Sequence, residues 1–526
     1  MEVRKNRFVL AAMLAGFAVL FLFTGLIGNL GMAYFAIAME CCLLVYALLF
    51  AGLPCCIERF VKSRMAKEQY KNADIVLKTA LFYALVTGII GSLFLFFIAE
   101  LFCGKVLQAK EAALALKIMS PLFLVNGISA VLKGYFQGIG TAMPTVVSGG
   151  LKQLLTLSFG ALFGYILYGY GKKAAALLQN EHFIYMYGAA GVALGFLLAG
   201  LLTLLFLLLI YLGAGRRVRR RGKEGMRLSE NGAEVFRGLM GMMLPLAGTG
   251  FLLRAGTLLG LGIYQSYPND KTLMLASFGG FYGRYLMIVG MITVLALICC
   301  ALIETTVIHS VKKEEYKNTK NFLAGGMQSI WVLTLFLGAA VCALSSCFFK
   351  ETEDVVKCMR HGALFPVFLA MGIYFSHILN EIDKKKTALL SLAVSLLAFF
   401  ATAFISGSIL KGNILLFVYA WLVFAVVHCL VNGFFLLRAT RLNPEWLRMF
   451  LLPFLAAVVT GVCMFFLSGA FLSILGGTIT GILSFVVGGI CYLVLLFVFR
   501  CIREKDLYFL PGGPVLQRVA KKLHFL

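Results

Sequence analysis

The feature that most restricts the fold is a succession of apolar runs, each of about 20 residues, along nearly the whole chain. A helix of this length can cross the hydrocarbon layer of a bilayer, and it satisfies its own backbone hydrogen bonds where lipid offers no partners. The 526-residue sequence is 61% hydrophobic and only 13% charged, which is too little charge for the surfaces of soluble domains. The sequence therefore predicts an all-α, multi-pass protein of the cell membrane.

The basic residues predict how the helices are oriented. When the N-terminus is placed in the cytoplasm and basic residues near a span end are counted with the adjoining side, 34 of the 47 lysines and arginines are cytoplasmic, 10 are on the outer side and three lie deep inside spans. This alternation follows the positive-inside rule for fourteen transmembrane helices with both termini in the cytoplasm. The predicted spans lie near residues 8–31, 35–57, 75–101, 114–137, 143–168, 184–212, 239–265, 275–303, 322–349, 359–381, 387–408, 414–438, 448–472 and 475–500.

A charged phrase occurs twice along the chain. KEQYKNAD at 67–74 is echoed by KEEYKNTK at 313–320, and the match extends upstream to Ile57 and Ile303. Both copies follow the second span of a six-span half, on the predicted cytoplasmic side. An even number of spans between the copies preserves their orientation, so the two halves are parallel repeats. We therefore predict two parallel six-helix repeats followed by two C-terminal helices.

This organisation divides the chain into five segments. An N-terminal six-helix bundle covers residues 1–212, and a C-terminal six-helix bundle covers 239–438. Residues 213–238 form a basic cytoplasmic linker, which either sets orientation or also holds anionic lipid headgroups. Residues 448–500 supply transmembrane helices 13 and 14, and residues 501–526 form an amphipathic tail at the cytoplasmic membrane surface.

Charged side chains inside apolar helices are the candidate substrate-binding residues. A charge near the bilayer centre costs about 3 kcal/mol on insertion scales, so it normally faces a cavity or a partner. Arg284, Lys152 and Arg254 are positive groups within predicted spans, and Glu40 is a negative one. Guanidinium groups bind phosphate oxygens bidentately and lysine adds a point charge, so a cleft lined by these cations suits a pyrophosphate. Two alternatives stay open: one cation pairs structurally with Glu40, or Arg254 extends to the interface.

Lys152 belongs to a polar stripe in the fifth span. Thr145, Ser148, Lys152 and Thr156 follow one another at helical spacing, which places them on one face. Polar side chains in a membrane helix normally face other helices or a cavity, because lipid offers no hydrogen-bond partners. We therefore predict that this face of the helix points into the protein.

Two longer stretches resemble a known family. LKGYFQGIGTAMPTVVSGGLKQ (Leu132 to Gln153) resembles the connection between the fourth and fifth helices of oligosaccharide and polysaccharide flippases in the multidrug/oligosaccharidyl-lipid/polysaccharide (MOP) exporter superfamily. These include the stage V sporulation protein B-like and lipid II flippase-like branches. GLPCCIERFVKSRMAKEQYKNA (Gly52 to Ala73) is similar to another motif of that family. The resemblance implies a flippase that moves an undecaprenyl-pyrophosphate-linked oligosaccharide or peptidoglycan precursor across the cell membrane by alternating access. Its partners would be that lipid-linked saccharide and the membrane lipids.

The first of these stretches contains a compact turn motif. Its residues are Gly134, Tyr135, Phe136, Gln137, Gly138 and Pro144. Glycines around an aromatic pair permit close packing, and a proline at a helix start sacrifices no hydrogen bond. We predict a structural elbow at the cytoplasmic end of span four, with substrate contact as the alternative.

Three other functions are compatible with a multi-pass protein. An ion-coupled multidrug exporter of the same superfamily needs an acidic residue deep in the membrane, for which Glu40 is the candidate, and a net positive cleft disfavours cationic drugs. A membrane glycosyltransferase or ligase needs carboxylates or histidines on a sizeable outer loop, whereas the outer connections here have about 15 residues or fewer. A scaffold that has lost transport is the third.

We therefore expect a transporter rather than an enzyme. The sequence contains no nucleotide-binding motif or metal-ligand spacing, so we expect no cofactor. The net charge of +24 follows membrane topology, so nucleic acid is not an expected partner. We further expect the transporter to act as a monomer.

Overall fold

The computed structural model describes residues 2–223, 230–312, 315–349, 352–382 and 384–501, and within these ranges the chain is helical and contains no β-strand. The helices in these ranges are α1 (Glu2–Phe50), α2 (Leu53–Ala66), α3 (Tyr70–Leu101), α4 (Ala112–Gly138), α5 (Met143–Leu178), α6 (His182–Lys223), α7 (Gly232–Gln265), α8 (Lys271–Gly280), α9 (Met287–Lys312), α10 (Tyr316–Phe348), α11 (Glu353–His361), α12 (Phe365–Glu381), α13 (Lys385–Leu410), α14 (Leu415–Thr440), α15 (Leu452–Leu475) and α16 (Gly477–Val498). Short π-helical turns occupy Phe102–Val106, Phe281–Leu286 and Leu447–Leu451. The prediction of an all-α fold is confirmed.

Eleven of the described helical stretches are long and apolar enough to cross a membrane, or twelve if α11 and α12, bent by 53° at their junction, form one span. The stretch Arg7–Ala66 contains two of the predicted spans, and α7 covers the predicted seventh span. Large apolar side chains such as Phe97 and Leu177 are exposed, as lipid-facing surfaces require. This is a multi-pass membrane protein. The count of fourteen crossings and the cytoplasmic position of both ends stay predictions.

The first two predicted spans meet inside α1. This helix is broken at Gly28, where φ is 74° and ψ is 171°, a conformation that glycine adopts at low cost. The predicted boundary, several residues further along, was therefore wrong. The second segment of α1 ends at Phe50, and α2 starts after Gly52. Glu40 consequently lies near the middle of that segment rather than near its outer end.

The chain forms two compact units, which we call the 18–283 unit and the 284–501 unit after their main residue ranges. The 284–501 unit also includes the start of α1 up to Phe17. One boundary therefore lies inside α1 and the other inside the π-helical turn Phe281–Leu286. The division into bundles 1–212 and 239–438 stays a prediction.

Glycines hold α5 and α6 together in the 18–283 unit. A Cβ atom built on Gly195 would lie 2.4 Å from the Cα atom of Gly160, and one on Gly191 would lie 2.3 Å from the carbonyl oxygen of Phe163. Membrane helices approach closely where small residues recur every four positions, because association there depends on packing rather than on excluding water. Gly191 and Gly195 have this spacing, so the backbones of the two helices touch directly.

The echoed sequence has the same packing in both units. Ile57 and Val61 of α2 are fully buried, and α2 packs on α4. Ile303 and Val307 of α9 are buried in a cluster that also contains residues of α12. The echoed segment of each half therefore packs on the helix that corresponds to the predicted fourth span of that half, as a duplicated architecture requires.

The last two helices, α15 and α16, pack on α10 in the 284–501 unit. The indole nitrogen of Trp331 donates to the carbonyl of Phe450 at 3.0 Å, just before α15 begins. The hydroxyl of Tyr492 in α16 donates to the carbonyl of Val332 at 3.0 Å. Both contacts use side chains to bond backbone of a neighbouring helix, which fixes the position of the added pair.

Two predicted segments extend beyond the described residues. The linker 213–238 includes residues 224–229, and the tail 501–526 includes residues 502–526, all of which lie outside the described ranges. Helix α6 itself continues to Lys223, past the predicted end of the sixth span near residue 212. The roles of the linker and the tail stay predictions.

Candidate functional site

The interior carboxylate Glu40 pairs with Arg254. One guanidinium nitrogen of Arg254, Nη1, donates to both carboxylate oxygens at 2.8 and 3.0 Å, and the hydroxyl of Tyr282 donates to Oε1 at 2.8 Å. Glu40 is only 2% exposed, so these bonds replace the water that would otherwise stabilise its charge. One of the two alternatives left by the sequence, a pair between Glu40 and an interior cation, is therefore present.

Arg254 is more accessible than its partner. Its side chain is 36% exposed, and its contacts with Glu40 use Nη1. A guanidinium carries five N–H donors in a fixed fork, so donors beyond those aimed at Glu40 are available to a ligand. In this arrangement the buried carboxylate of Glu40 orients the partly exposed guanidinium of Arg254.

Lys152 connects α5 to α4. Its ammonium group donates to Oδ1 of Asn126 at 2.9 Å. Thr145, Ser148 and Thr156, which share its helix face, are buried, and this confirms that the polar stripe points inward. An amide oxygen satisfies a hydrogen bond but does not neutralise the lysine, so the positive charge can still attract an anion.

Arg284 lies in the 284–501 unit, in the π-helical turn Phe281–Leu286. Its Nη1 donates to the hydroxyl of Thr352 at 3.1 Å, and its guanidinium carbon is 5.7 Å from the ring centroid of Phe349. The second distance is within the range of a cation–π interaction. A cavity shared by Arg284, Lys152 and Arg254 stays a prediction.

The motif glycines are contact points between α4 and α2. A Cβ atom on Gly134 would lie 2.6 Å from the carbonyl oxygen of Pro54, and one on Gly138 would lie 2.5 Å from the Cβ atom of Val61. Any side chain at these positions would push the helices apart, because backbone cannot rotate away. The geometry supports a structural role for these two residues.

The aromatic residues of the motif are buried and the elbow lies after them. Tyr135 and Phe136 are almost fully buried, whereas Gln137 is only half-buried. Helix α4 continues to Gly138, and the chain reverses at Gly140, whose φ is +86°. Pro144 then occupies the first turn of α5, where its missing N–H is not needed. The elbow therefore lies between Gly138 and Pro144, two residues of the motif.

Gly134→Ala should reduce the free energy of unfolding by about 1 kcal/mol, because the new methyl group meets the backbone of α2. Thermal unfolding of the purified protein in detergent measures this. Gly150→Ala is the matched control, since nothing lies within 4 Å of a Cβ atom there. Equal unfolding temperatures for the two variants would contradict the tight contact.

Parts of the sequence resemble known proteins. Residues 8–162 match the family model MatE. Stage V sporulation protein B of Bacillus subtilis (strain 168) is 27% identical over 227 residues, which are 43% of this chain and 41% of that protein. Lipid II flippase MurJ of the same strain is 26% identical over 152 residues, which are 27% of this chain and 28% of that protein.

Solved structures share the fold. An inward-facing multidrug resistance MATE family transporter of the MOP superfamily aligns with a TM-score of 0.63 at 15% identity, covering 82% of this chain and 96% of that one. Lipid II flippase MurJ in its inward closed conformation aligns with a TM-score of 0.59 at 14% identity, covering 92% and 98%. The chain therefore shares the fold of these transporters. It spans less than half the length of each curated relative in those sequence matches.

A second acidic side chain, Glu304, lies within a helix whose predicted end was one residue earlier. The predicted eighth span ends at residue 303, but α9 continues to Lys312, so Glu304 lies inside the helix and is 14% exposed on its side chain. Its carboxylate contacts Nδ1 of His377 on α12. The predicted end of the eighth span at residue 303 is therefore earlier than the end of the helix, because hydropathy locates helix ends only to within a few residues.

Polar cavities at one end of the 18–283 unit were also missed. They lie where α3 meets α4, α5 meets α6 and α7 meets α8, the connections predicted to be on the outer side. Their volumes are about 480 and 500 Å³, and they share Lys110, Glu111, Asn180 and His182. No local sequence pattern indicates such a site, because its residues come from separate connections.

Proposed function

We propose that this protein is a transporter of the MOP superfamily, a flippase that moves a saccharide linked to undecaprenyl pyrophosphate across the cell membrane by alternating access. The observation that carries the proposal is the presence of accessible positive groups within apolar helices. Arg254 is partly exposed beside a buried acid, and Lys152 has an uncharged partner. Similarity to stage V sporulation protein B and to lipid II flippase MurJ supports the same function.

Exchange of partners explains how such a site would bind and release an anion. A pyrophosphate offers Arg254 a pair of anionic oxygens, as the carboxylate of Glu40 does, so it competes for the same guanidinium. Glu40 would hold Arg254 in position between substrates. Lys152 would leave Asn126 for a phosphate oxygen, because a charge-assisted hydrogen bond is stronger than one to an amide. The apolar prenyl chain remains in the bilayer throughout.

An ion-coupled multidrug exporter is less well supported. Export of a cation requires a carboxylate that the cation can reach, yet Glu40 is bonded to Arg254 and Tyr282. Glu304 faces His377. A cationic drug would have to break one of these pairs and leave its basic partner without a counter-charge.

Lys152→Met should lower the rate of lipid flipping by about tenfold or more, because a hydrogen bond to a charged group contributes about 1.5–3 kcal/mol. The assay is movement of a fluorescent undecaprenyl-pyrophosphate disaccharide between the leaflets of proteoliposomes. Lys173→Met, an exposed lysine on the same helix, is the matched control and should flip at the normal rate.

Arg284→Met extends this assay to the other unit. A flippase that uses Arg284 loses activity while it still inserts and folds, whereas a scaffold is unaffected. The proposal fails if wild-type protein does not flip the lipid, or if it instead drives ion-dependent efflux of a cationic dye.

A further inference from the structure

The two polar cavities of the 18–283 unit form one cleft, because they share four lining residues. We call it the loop-end cleft. Each part, at about 480 and 500 Å³, lies within the range of roughly 300–1,000 Å³ that is typical of small-molecule sites. The lining comes from three helix connections that meet at the same end of the unit. The cleft is therefore separate in composition from the Glu40–Arg254 pair and from Lys152.

The charges that line the loop-end cleft largely cancel. Lys117 is paired with Glu100. The ammonium group of Lys271 donates to backbone carbonyls at the end of α7, at 2.9 Å for Tyr267. These contacts hold two of the three lysines in structural roles. A multiply charged anion would need a surplus of accessible positive groups, so the lining does not favour phosphate.

The remaining polar groups alternate as donors and acceptors. The hydroxyl of Tyr34 contacts Nδ1 of His182 at 3.0 Å. The second ring nitrogen, Nε2, is not used in this contact. Oδ1 of Asn180 accepts the backbone N–H of His182 at 3.0 Å, which leaves its NH₂ group as a donor. Glu111 supplies acceptors and Lys110 supplies donors, and both line each of the two cavities.

Apolar side chains complete the wall. Leu114, Phe183 and Met186 line the same cleft as the polar groups. A sugar ring presents hydroxyls that both donate and accept, together with an apolar face of C–H groups. Interleaved donors and acceptors beside an apolar wall match that chemistry better than they match an ion or an apolar drug.

We propose that the loop-end cleft binds the saccharide part of the transported lipid, with Glu111, Asn180 and His182 bonding its hydroxyl and amide groups. This deepens the proposed function and rests on it, because it assigns the sugar to a site distinct from the one that holds the pyrophosphate. At the end of the unit predicted to face outward, the cleft holds the sugar on that side of the membrane.

Saturation-transfer NMR of the full-length protein in nanodiscs tests the proposal, with the soluble disaccharide N,N′-diacetylchitobiose as the probe. We expect saturation of the acetyl and ring protons by the wild-type protein, and an affinity about tenfold lower for Glu111→Gln, which removes a charged acceptor. Asn180→Ala should weaken binding in the same direction. Glu234→Gln is the matched control, since this exposed glutamate lies in the first turn of α7, away from the lining residues.

The outcomes separate the saccharide site from the proposed function. Absence of saturation transfer, equal affinities for Glu111→Gln and Glu234→Gln, or displacement of the disaccharide by inorganic phosphate would overturn the saccharide site. Lys152→Met should bind the disaccharide normally while it fails to flip lipid. If the wild-type protein binds the disaccharide yet flips no lipid-linked saccharide, the proposed function fails while the cleft remains a sugar site.

Discussion

Arg254→Ala is expected to reduce the free energy of unfolding by about 3 kcal/mol, the lower end of the loss that follows when one partner of a buried ion pair is removed, because Glu40 is buried but Arg254 is 36% exposed. Glu40 is 2% exposed, and its carboxylate is held by Arg254 and by the hydroxyl of Tyr282. Truncation leaves a buried negative charge with a single donor. Denaturant unfolding in detergent micelles, followed by helical circular dichroism, measures the change.

Two further variants show whether the loss comes from the buried charge. Glu40→Gln combined with Arg254→Met should regain most of the stability, because no uncompensated charge remains, but it should not regain lipid flipping. Lys357→Ala breaks the exposed pair with Glu353 and should leave the stability almost unchanged, because solvent screens such pairs. If Arg254→Ala loses no more stability than Lys357→Ala, the buried pair does not stabilise the fold.

The helices could be predicted from sequence because each span is a local property. Apolar runs and basic loops alternate along the chain, and the resulting spans correspond to helices in the structure. Partnerships between distant residues could not be predicted in this way. Glu40 lies 214 positions from Arg254 and 242 from Tyr282. The sequence indicates that the interior acid Glu40 requires a hydrogen-bond donor. It does not indicate which of the three interior cations is that donor.

Errors at the ends of spans have a common physical cause. Hydropathy changes gradually where a helix leaves the bilayer, so the break at Gly28 and the continuation of α9 past Glu304 carry no clear hydropathy signal. Tyrosine adds to the difficulty, because Tyr282 counts as an apolar residue in a hydropathy profile although its hydroxyl completes the site around Glu40. A hydropathy profile therefore does not reveal the hydrogen-bonding role of a tyrosine hydroxyl.

The loop-end cleft illustrates a different difficulty. Its shared residues Lys110, Glu111, Asn180 and His182 occupy two connections that are ordinary polar loops when each is considered alone. Charged residues in such loops are usually explained by their effect on membrane topology. Only the packing of α3, α4, α5 and α6 brings these connections to one place, so a site of this kind becomes visible only in three dimensions.

Gly195→Val is expected to separate α5 from α6 and to reduce the free energy of unfolding by about 3 kcal/mol, the upper end of the usual range for overpacking. A Cβ atom there would lie 2.4 Å from both Cα and N of Gly160 and 2.7 Å from the carbonyl carbon of Phe159. All three are backbone atoms, so no side-chain rotation can relieve the clash. Denaturant unfolding in micelles again measures the loss.

Gly213→Val is the control for this substitution, since it lies on the same helix and nothing lies within 4 Å of a Cβ atom there. Both variants exchange glycine for the same β-branched residue within α6, so the difference between them isolates the contact with α5. Similar unfolding curves would mean that α5 and α6 move apart without penalty. A large difference would show that backbone contact, rather than apolar burial, holds this pair together, as expected where lipid competes equally well for apolar side chains.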